Sequence, residues 1–446
     1  MIKSIKYSLV KRVKFMWDLI VVGGGTSGVA AAVSAARNGC KNTLLIEKNS
    51  FLGGTQSGSL VTPMMSNALK SGEKLSSGFF DEICERLAST GDSVTYKDGN
   101  PAWFNPEMLK CVYDDFCDEA GVKVLFDTVI VGANVEGSTI KSIQVANNSG
   151  ITTLEAKYFV DASGDAILSY FAGVGFDSGD NGANQSMSLR FNMANVDLEK
   201  FAKWILELDP DSGVTSVDYK PNGEIHLSTA CTWDDKGWKL KPYFDKAVED
   251  GVITLEDSAY FQIFTMPGQK NAVSFNCPRI YASKSLDTLN MWDTSYALTM
   301  GRKQIRRIAE FCKIYLPGFE ESYVSLIAPK LGVRDSRRIH GKYTLTEQDI
   351  AAAKKFESPV AKSNYPVDVH SKEKNNSELV FLTGDNYYEV PLESLIPDNI
   401  ENMLVVGRCI SATFRAQASL RVQPNCITMG EAAAMYIANK LYDNNQ

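Results

Sequence analysis

The chain has no Cys-x-x-Cys pair, three histidines among 446 residues, and no apolar run long enough to cross a bilayer, and each shortage removes a class of protein. Its nine cysteines (40, 84, 111, 117, 231, 277, 312, 409 and 426) are an odd number without metal-ligand spacing. That argues against a disulfide framework, a zinc site, a thioredoxin-type redox pair or an iron–sulfur centre. A reducing cytoplasm is the expected compartment. A spanning helix needs about 18 continuous apolar residues, which occur nowhere, so no membrane partner is expected. An excess of positive charge is lacking too: the net charge is −7, and no Lys/Arg-rich run is interleaved with aromatics, which disfavours nucleic acid. Lys3, Lys6, Lys11, Arg12 and Lys14 make residues 1–15 basic, but they surround no apolar core of a secretory signal. These residues read as a basic extension.

What is present is the composition of a globular protein, 44% hydrophobic and 22% charged, over a length that suits two domains with separate cores. A small-molecule substrate is the expected partner, with a homo-oligomer left open. Residues 17–22 form a short β-rich run that stops at glycine. The alanine-rich residues 29–38 have helical spacing, and 43–47 reads as a second buried strand. This is a βαβ unit of about 30 residues. Helical patterns follow at 78–88 and 106–120. Residues 122–131 read as one or two strands, 139–145 and 153–159 as a hairpin, and 158–161 as a further apolar strand. Beyond 180 the character changes: strands at 187–191, 224–228 and 272–275 mix with helices at 198–206, 240–250 and 294–313. A buried strand at 402–407 and a helix at 426–441 then return to the style of the first part.

The turn Gly23-Gly24-Gly25-Thr26-Ser27-Gly28 carries the clearest chemistry. Gly23 makes the tight turn, Gly25 lets the backbone approach a pyrophosphate, and Gly28 permits close helix packing. The helix opening at Thr26 and Ser27 directs its free N–H groups and positive end at the phosphates. Glu47, nineteen residues past Gly28 at the end of the second strand, is placed to accept from ribose hydroxyls, which also disfavours a 2′-phosphate. Together these features predict a dinucleotide site.

Five runs make a resemblance specific: Ile20-Val-Val-Gly-Gly-Gly-Thr-Ser-Gly28, Ile46-Glu-Lys-Asn-Ser-Phe-Leu-Gly-Gly-Thr55, Val160-Asp-Ala-Ser-Gly-Asp165, Leu331-Gly-Val-Arg-Asp-Ser-Arg-Arg338 and Gly407-Arg-Cys-Ile-Ser-Ala-Thr413. The chain resembles the bacterial FAD-dependent oxidoreductases, related to the glutathione reductase and fumarate reductase flavoproteins, over about residues 17–440. The resemblance implies an α/β fold: a Rossmann-like three-layer FAD/NAD(P)-binding domain from 16–180 and 390–446, with an inserted α+β substrate (cap) domain at 181–389. It implies non-covalently bound FAD as cofactor. Lys48 beside Glu47 joins the cofactor-binding residues, and Gly53, Gly54 and Thr55 continue the phosphate and ribityl cradle. Val129 holds adenine through its backbone, and Ala162, Ser163, Gly164 and Asp165 lie beside the pyrophosphate. Gly407-Arg408 stands where many relatives have Gly-Asp, so the cation should meet the phosphates or an acidic neighbour. Arg421, Val422 and Asn425 belong to a segment that passes the flavin ring before the last helix.

On the substrate side, Arg334, Arg337 and Arg338 precede a capped helix start at Thr346 to Asp349, and the planar arginine fork suits a carboxylate or a polarised carbonyl. Arg334 and Arg337 are the expected catalytic arginines. His370 ends Tyr365-Pro-Val-Asp-Val-His370, which looks like the family's Tyr-Pro-x-Asp-x-His motif, and is the expected proton-transfer group. Many relatives have histidine and glutamate where this chain has Phe414 and Arg415, a departure that points to an altered pocket. The expected reaction is hydride transfer between a small organic substrate and FAD. The rival readings are an NAD(P)-dependent dehydrogenase, which a yellow protein would exclude, and a flavin subunit relaying electrons to a partner. Cys426 reads as a buried small hydrophobe.

Overall fold

Strand Val10–Val22 is the axis of a seven-stranded sheet. In this computed structural model, residues 10–65, 67–95, 102–210, 214–220, 223–232, 238–282, 285–370 and 377–443 are described. The axial strand pairs in parallel with Thr43–Ile46 on one side and Gly150–Asp161 on the other. Lys123–Leu125 extends the array beyond Thr43–Ile46, and Met403–Val405, from the far end of the chain, pairs in parallel with Gly150–Asp161.

Alternation along the axial strand sets the layers. Leu19 and Val21 enter one core and Ile20 and Val22 the opposite one, because successive strand side chains point to opposite faces. The first core is covered by helices Thr26–Arg37, Pro106–Ala120 and Gln423–Asp443. The opposite one is covered by the hairpin Val129–Glu136 and Thr139–Asn147 with helix Ile167–Phe171. This is the expected three-layer α/β arrangement.

Three expectations are corrected. The hairpin arm at 153–159 and the apolar strand at 158–161 are a single twelve-residue strand, Gly150–Asp161. Residues 150–154 pair with the hairpin and 159–161 with Met403–Val405, so one strand serves both the antiparallel and the parallel parts. The basic extension does not reach residue 15: Val10, Lys11 and Arg12 pair with Ile151, Thr152 and Thr153. Backbone pairing is indifferent to the polarity that marked those residues; residues 1–9 lie outside those described. The strand expected at 187–191 is Phe191–Ala194, and Ser188 instead bridges Arg279 and Gly332.

The inserted part is a six-stranded antiparallel sheet in the order Ser216–Tyr219, Ile225–Thr232, Tyr260–Thr265, Val273–Phe275, Phe191–Ala194, Tyr323–Ile327. Helices Leu198–Leu208, Lys241–Glu249 and Met291–Tyr315 contribute to its phenylalanine-rich core. That core runs from Met187 to Ala328, apart from Leu60. Leu345, Ile350, Ala361, Val367, Val369, Tyr388 and Val390 belong instead to the first core. The boundary at 389 therefore falls some 60 residues beyond Ala328, the last buried residue of the second core, because an irregular run of short strands gives no periodicity that says which core it faces.

Candidate active site

Two glycine turns face each other at the end of the axial strand. A Cβ on Gly28 would lie 1.8 Å from Gly23 O, and Gly54, at φ +55°, approaches so closely that its Cβ would lie 2.8 Å from Gly25 Cα. Gly25 and Gly53 form a parallel bridge, and Gly53 N donates to Gly24 O at 2.8 Å. Helix Thr26–Arg37 begins at Gly25 without a side-chain cap, so its first N–H groups and positive end suit an oxyanion. Ser27 is buried beside Gly407, where a Cβ would lie 2.7 Å from Ser27 Oγ.

Glu47, buried at the end of the second strand, accepts from Gly24 N at 2.7 Å and Asn49 N at 2.9 Å, and from the Asn49 amide. Thr128 N donates to Glu47 O at 3.1 Å, which brings the half-exposed Val129 alongside. Ala162 N donates to Val22 O at 2.8 Å and Ser163 Oγ to Asp161 Oδ1 at 2.6 Å, setting residues 162–165 against the same strand end. Arg408 meets an acidic neighbour: its Nη2 lies 2.7 Å from Asp165 Oδ1, its Nε donates to Gly164 O and its Nη1 to Val333 O, both at 2.8 Å. Lys48, exposed, approaches Asp165 Oδ2 at 3.7 Å. Burial pushes Asp165 up, but the Arg408 and Lys48 charges outweigh it and hold the carboxyl well below the usual range.

Several members of this site carried no usable signal. Lys330 lies against Gly58, whose Cβ would meet its Cδ at 2.7 Å; burial and the Lys48 charge push its pKa down to about 8, opposed by Glu47 and Asp165. Gln56 Oε1 accepts from Thr26 Oγ1 at 3.1 Å and Tyr113 OH at 2.6 Å, and its Nε2 donates to Gln423 Oε1 at 2.9 Å. This buried chain ties the short helix Thr55–Gly58 to the starts of the first and last helices. Arg421 and Val422 link helix Phe414–Leu420 to Gln423–Asp443. Asn425 donates to Ser363 Oγ at 2.9 Å and accepts from Asn67 Nδ2 at 3.2 Å, so it offers a ligand its place in a first helical turn rather than its side chain. Cys426 is buried, with its thiol pushed up to about 11 by burial.

The substrate-side candidates separate. His370 closes strand Val367–His370; its Nε2 lies 3.1 Å from Asp368 Oδ2, and Gln185 Oε1 accepts from its backbone N at 3.2 Å. Burial, then the nearby Arg334 charge, push the imidazole well below 6.5 although Asp368 pulls the other way. Burial raises Asp368, but His370, Arg421 and Arg334 outweigh it and keep the carboxyl ionised. Arg334 is thus brought to His370. Arg337 is not: it donates to Asp165 O at 3.0 Å and lies over the Tyr170 and Phe176 rings at 4.5 and 5.1 Å, held in the short pairing of Phe176–Ser178 with Arg337–Ile339. Arg338 donates to Ala412 O and Gly179 O and faces the Phe414 ring. The capping box at Thr346 and Asp349 is present as expected. Arg190 and Arg279, also missed, are buried near Arg334. A cation inside the apolar run Met187-Ser-Leu-Arg-Phe191 was the available signal for Arg190.

Residues 18–446 match the sequence pattern of a family described as FAD dependent oxidoreductase. The chain is 29% identical over 178 residues to the thiamine thiazole synthase of Methanococcus vannielii, covering 36% of this chain and 63% of that protein. It is 24% identical over 260 residues to the digeranylgeranylglycerophospholipid reductase of Thermoplasma acidophilum, covering 52% of this chain and 62% of the relative. The matched region thus spans just under two thirds of the length of these relatives. A solved geranylgeranyl bacteriochlorophyll reductase-like protein from Thermoplasma acidophilum aligns with a TM-score of 0.46 and 15% identity, covering 96% of this chain and 79% of that one. No described helix is long and apolar enough to cross a membrane.

Proposed function

Because this chain belongs to the FAD-dependent oxidoreductase family, we propose that it transfers a hydride between a small organic substrate and non-covalently held FAD, with Arg334 and His370 on the substrate side. The cradle suits FAD on its own geometry: two glycine turns with no room for a Cβ at Gly23, Gly24, Gly28, Gly53 or Gly54, an uncapped helix start, and Glu47 at the end of the second strand. When bound, FAD supplies a two-electron carrier able to accept or give a hydride.

The chain's own groups hold and orient. The uncapped turn at Thr26 to Gly28 receives the diphosphate, with Lys48, Lys330 and Arg408 adding positive charge around it. Glu47 serves the ribose hydroxyls. The first turn of Gln423–Asp443 presents its positive end where negative charge develops on reduction. Thiol chemistry is disfavoured at Cys426, whose raised pKa leaves it protonated.

The observation that carries the reading is the His370–Asp368 pair, 3.1 Å apart with Arg334 nearby. The ionised Asp368 holds the imidazole through Nε2, and the low pKa of His370 keeps the ring neutral, and so able to accept a proton, near pH 7. Such a histidine takes a proton from an amine, alcohol or 2-hydroxy acid as hydride leaves, and returns one in the opposite direction. The test is anaerobic mixing of the yellow protein with amines, alcohols and 2-hydroxy acids, and of its reduced form with enoates, followed through flavin absorbance. One class should change the spectrum. If none does, while a co-purifying protein does, electron relay to a partner replaces this reading.

A further inference from the structure

Arg408 stands between two segments from distant parts of the chain, and each of its side-chain nitrogens reaches one of them. Nε donates to Gly164 O and Nη1 to Val333 O, both at 2.8 Å, and Nη2 lies 2.7 Å from Asp165 Oδ1. Gly164, at φ +73°, leaves the space in which the guanidinium lies: a Cβ there would come within 3.3 Å of Arg408 Cζ. The pair is partly withdrawn from water, with the Arg408 and Asp165 side chains 15% and 31% exposed.

Other bonds repeat the connection. Ser336 Oγ lies 2.9 Å from Asp165 Oδ1 and 3.1 Å from Gly164 O, and Arg337 Nη1 donates to Asp165 O at 3.0 Å. Gln417 Nε2 donates to Arg334 O at 2.9 Å and to Arg408 O at 3.3 Å. Arg334 is therefore held at its own carbonyl and at that of the residue before it. Its side chain reaches Ser186 O, and its charge reaches His370. Residues 333–336 belong to no helix or strand, so bonds of this kind rather than a ladder decide their course. On the cofactor side, Val406 N donates to Asp161 O at 3.0 Å, which delivers Arg408 to the strand end where residues 162–165 lie.

The side chain that makes these contacts has to be a fork. An ammonium is a point charge on a flexible stem, whereas the N–H groups of a guanidinium leave one plane in fixed and different directions and so meet three separate acceptors together.

We propose that Arg408 is a positioning residue: it fixes residues 333–337 to the cofactor-side turn at 164–165 and thereby sets Arg334 beside His370. Shape, more than charge, is what arginine contributes at this position. The inference rests on the hydride-transfer reading only in taking Arg334 as a substrate-side group.

The segment carries its own reporter, because trypsin cuts after Arg334, Arg337 and Arg338. FAD-loaded protein is digested briefly and the cuts are mapped by mass spectrometry, alongside flavin content and melting temperature. When opening and closing are fast, cleavage follows the population of the locally open form. Arg408→Lys, which keeps the charge and loses the fork, should speed cleavage at these three bonds by at least about tenfold while flavin content and the other cuts hold. A variant as resistant as the unmodified protein would overturn the proposal, since charge alone would then suffice. So would faster cleavage everywhere with a matching fall in melting temperature, the mark of a general loss of fold. Should Arg408→Lys fail to fold, Ser336→Ala removes one bond of the same set and should open the same three sites by a smaller factor; an unchanged digest there overturns the proposal equally.

The step from position to reaction is read with whichever of the amines, alcohols or 2-hydroxy acids reduces the flavin. Arg408→Lys should slow that reduction in the otherwise unmodified protein and add nothing in an Arg334→Gln background, because a group acting through Arg334 then has nothing left to position. Equal slowing in both backgrounds would retire the action through Arg334. If none of these compounds reduces the flavin, hydride transfer fails as a reading, and the digest by itself decides whether Arg408 holds the segment.

Discussion

The nucleotide cradle and the arginine cluster adjoin each other and are built in opposite ways. The cradle is mostly backbone: Gly23 to Gly28 and Gly53 to Gly54 work by what they lack, and an uncapped helix start provides the donors. The cluster is entirely side chain, gathered from residues 190, 279, 334 and 421 around Asp368 and His370. The contrast teaches that binding a common cofactor can be delegated to local chain geometry. The groups beside His370 are ones that only the whole fold brings together.

The largest effect should come from filling the cradle. Gly28→Val forces atoms into the space occupied by Gly23 O, where even a Cβ would lie at 1.8 Å. Overpacking of this kind costs about 1–3 kcal/mol or more, and here it also moves the phosphate-binding N–H groups. The purified variant should be colourless, with its flavin-to-protein ratio near zero. Retention of a full complement of flavin with an unchanged melting temperature would remove the backbone account of the cradle.

His370→Ala should have the next largest effect and act only on the other side of the comparison. Flavin reduction by an active substrate should slow by about a hundredfold, in the range of a lost acid–base group, while bound FAD stays at the normal ratio. The pH profile carries the sign. His370 lies well below 6.5, so its imidazole is basic at neutral pH, and the rate falls only as acid protonates it. In stability terms the unfolded chain takes up that proton first, so this group destabilises the fold as pH drops through 6.5. Equal loss of rate and flavin in the variant would make His370 structural.

Lys330→Met should give the smallest change, of several-fold, on the cradle side. With a folded pKa of about 8 against 10.5 ordinarily, Lys330 detracts from stability at neutral pH, and that cost fades as pH rises from 8 to 10.5. Binding an anionic diphosphate favours the charged lysine, so FAD affinity should weaken with rising pH above about 8, and Lys330→Met should flatten that slope. Equilibrium dialysis of FAD from pH 7 to 10 reads the difference. A slope unchanged in the variant would exclude Lys330 from the phosphate contacts.

The two regions differ in the same way in how much of each could be read beforehand. The turn at Gly23 to Gly28, Glu47 and the helix after them lie within 30 residues, and their roles follow from φ angles, strand ends and helix termini that neighbouring residues decide. His370 follows from the resemblance and Arg334 from the chemistry of the arginine fork, and the structure puts the Arg334 charge close enough to depress the imidazole. Arg337, three residues on, was grouped with them, but it turns to Asp165 O and the Tyr170 and Phe176 rings. Proximity along an irregular segment says little about direction in space. Likewise the residues from 345 to 390 join the first core although they follow the inserted sheet.

By itself, then, the sequence determined the α/β character, the dinucleotide turn and the return of the chain to the first sheet near residue 403, because these depend on periodicity and on glycine over short spans. Only the tertiary structure decided that one strand joins the hairpin to the parallel array, that Arg408 pairs with Asp165, and that Arg190, Arg279, Arg334 and Arg421 gather beside His370. Long-range charge contacts leave no periodic trace in a chain; they exist when distant segments are packed on a common core.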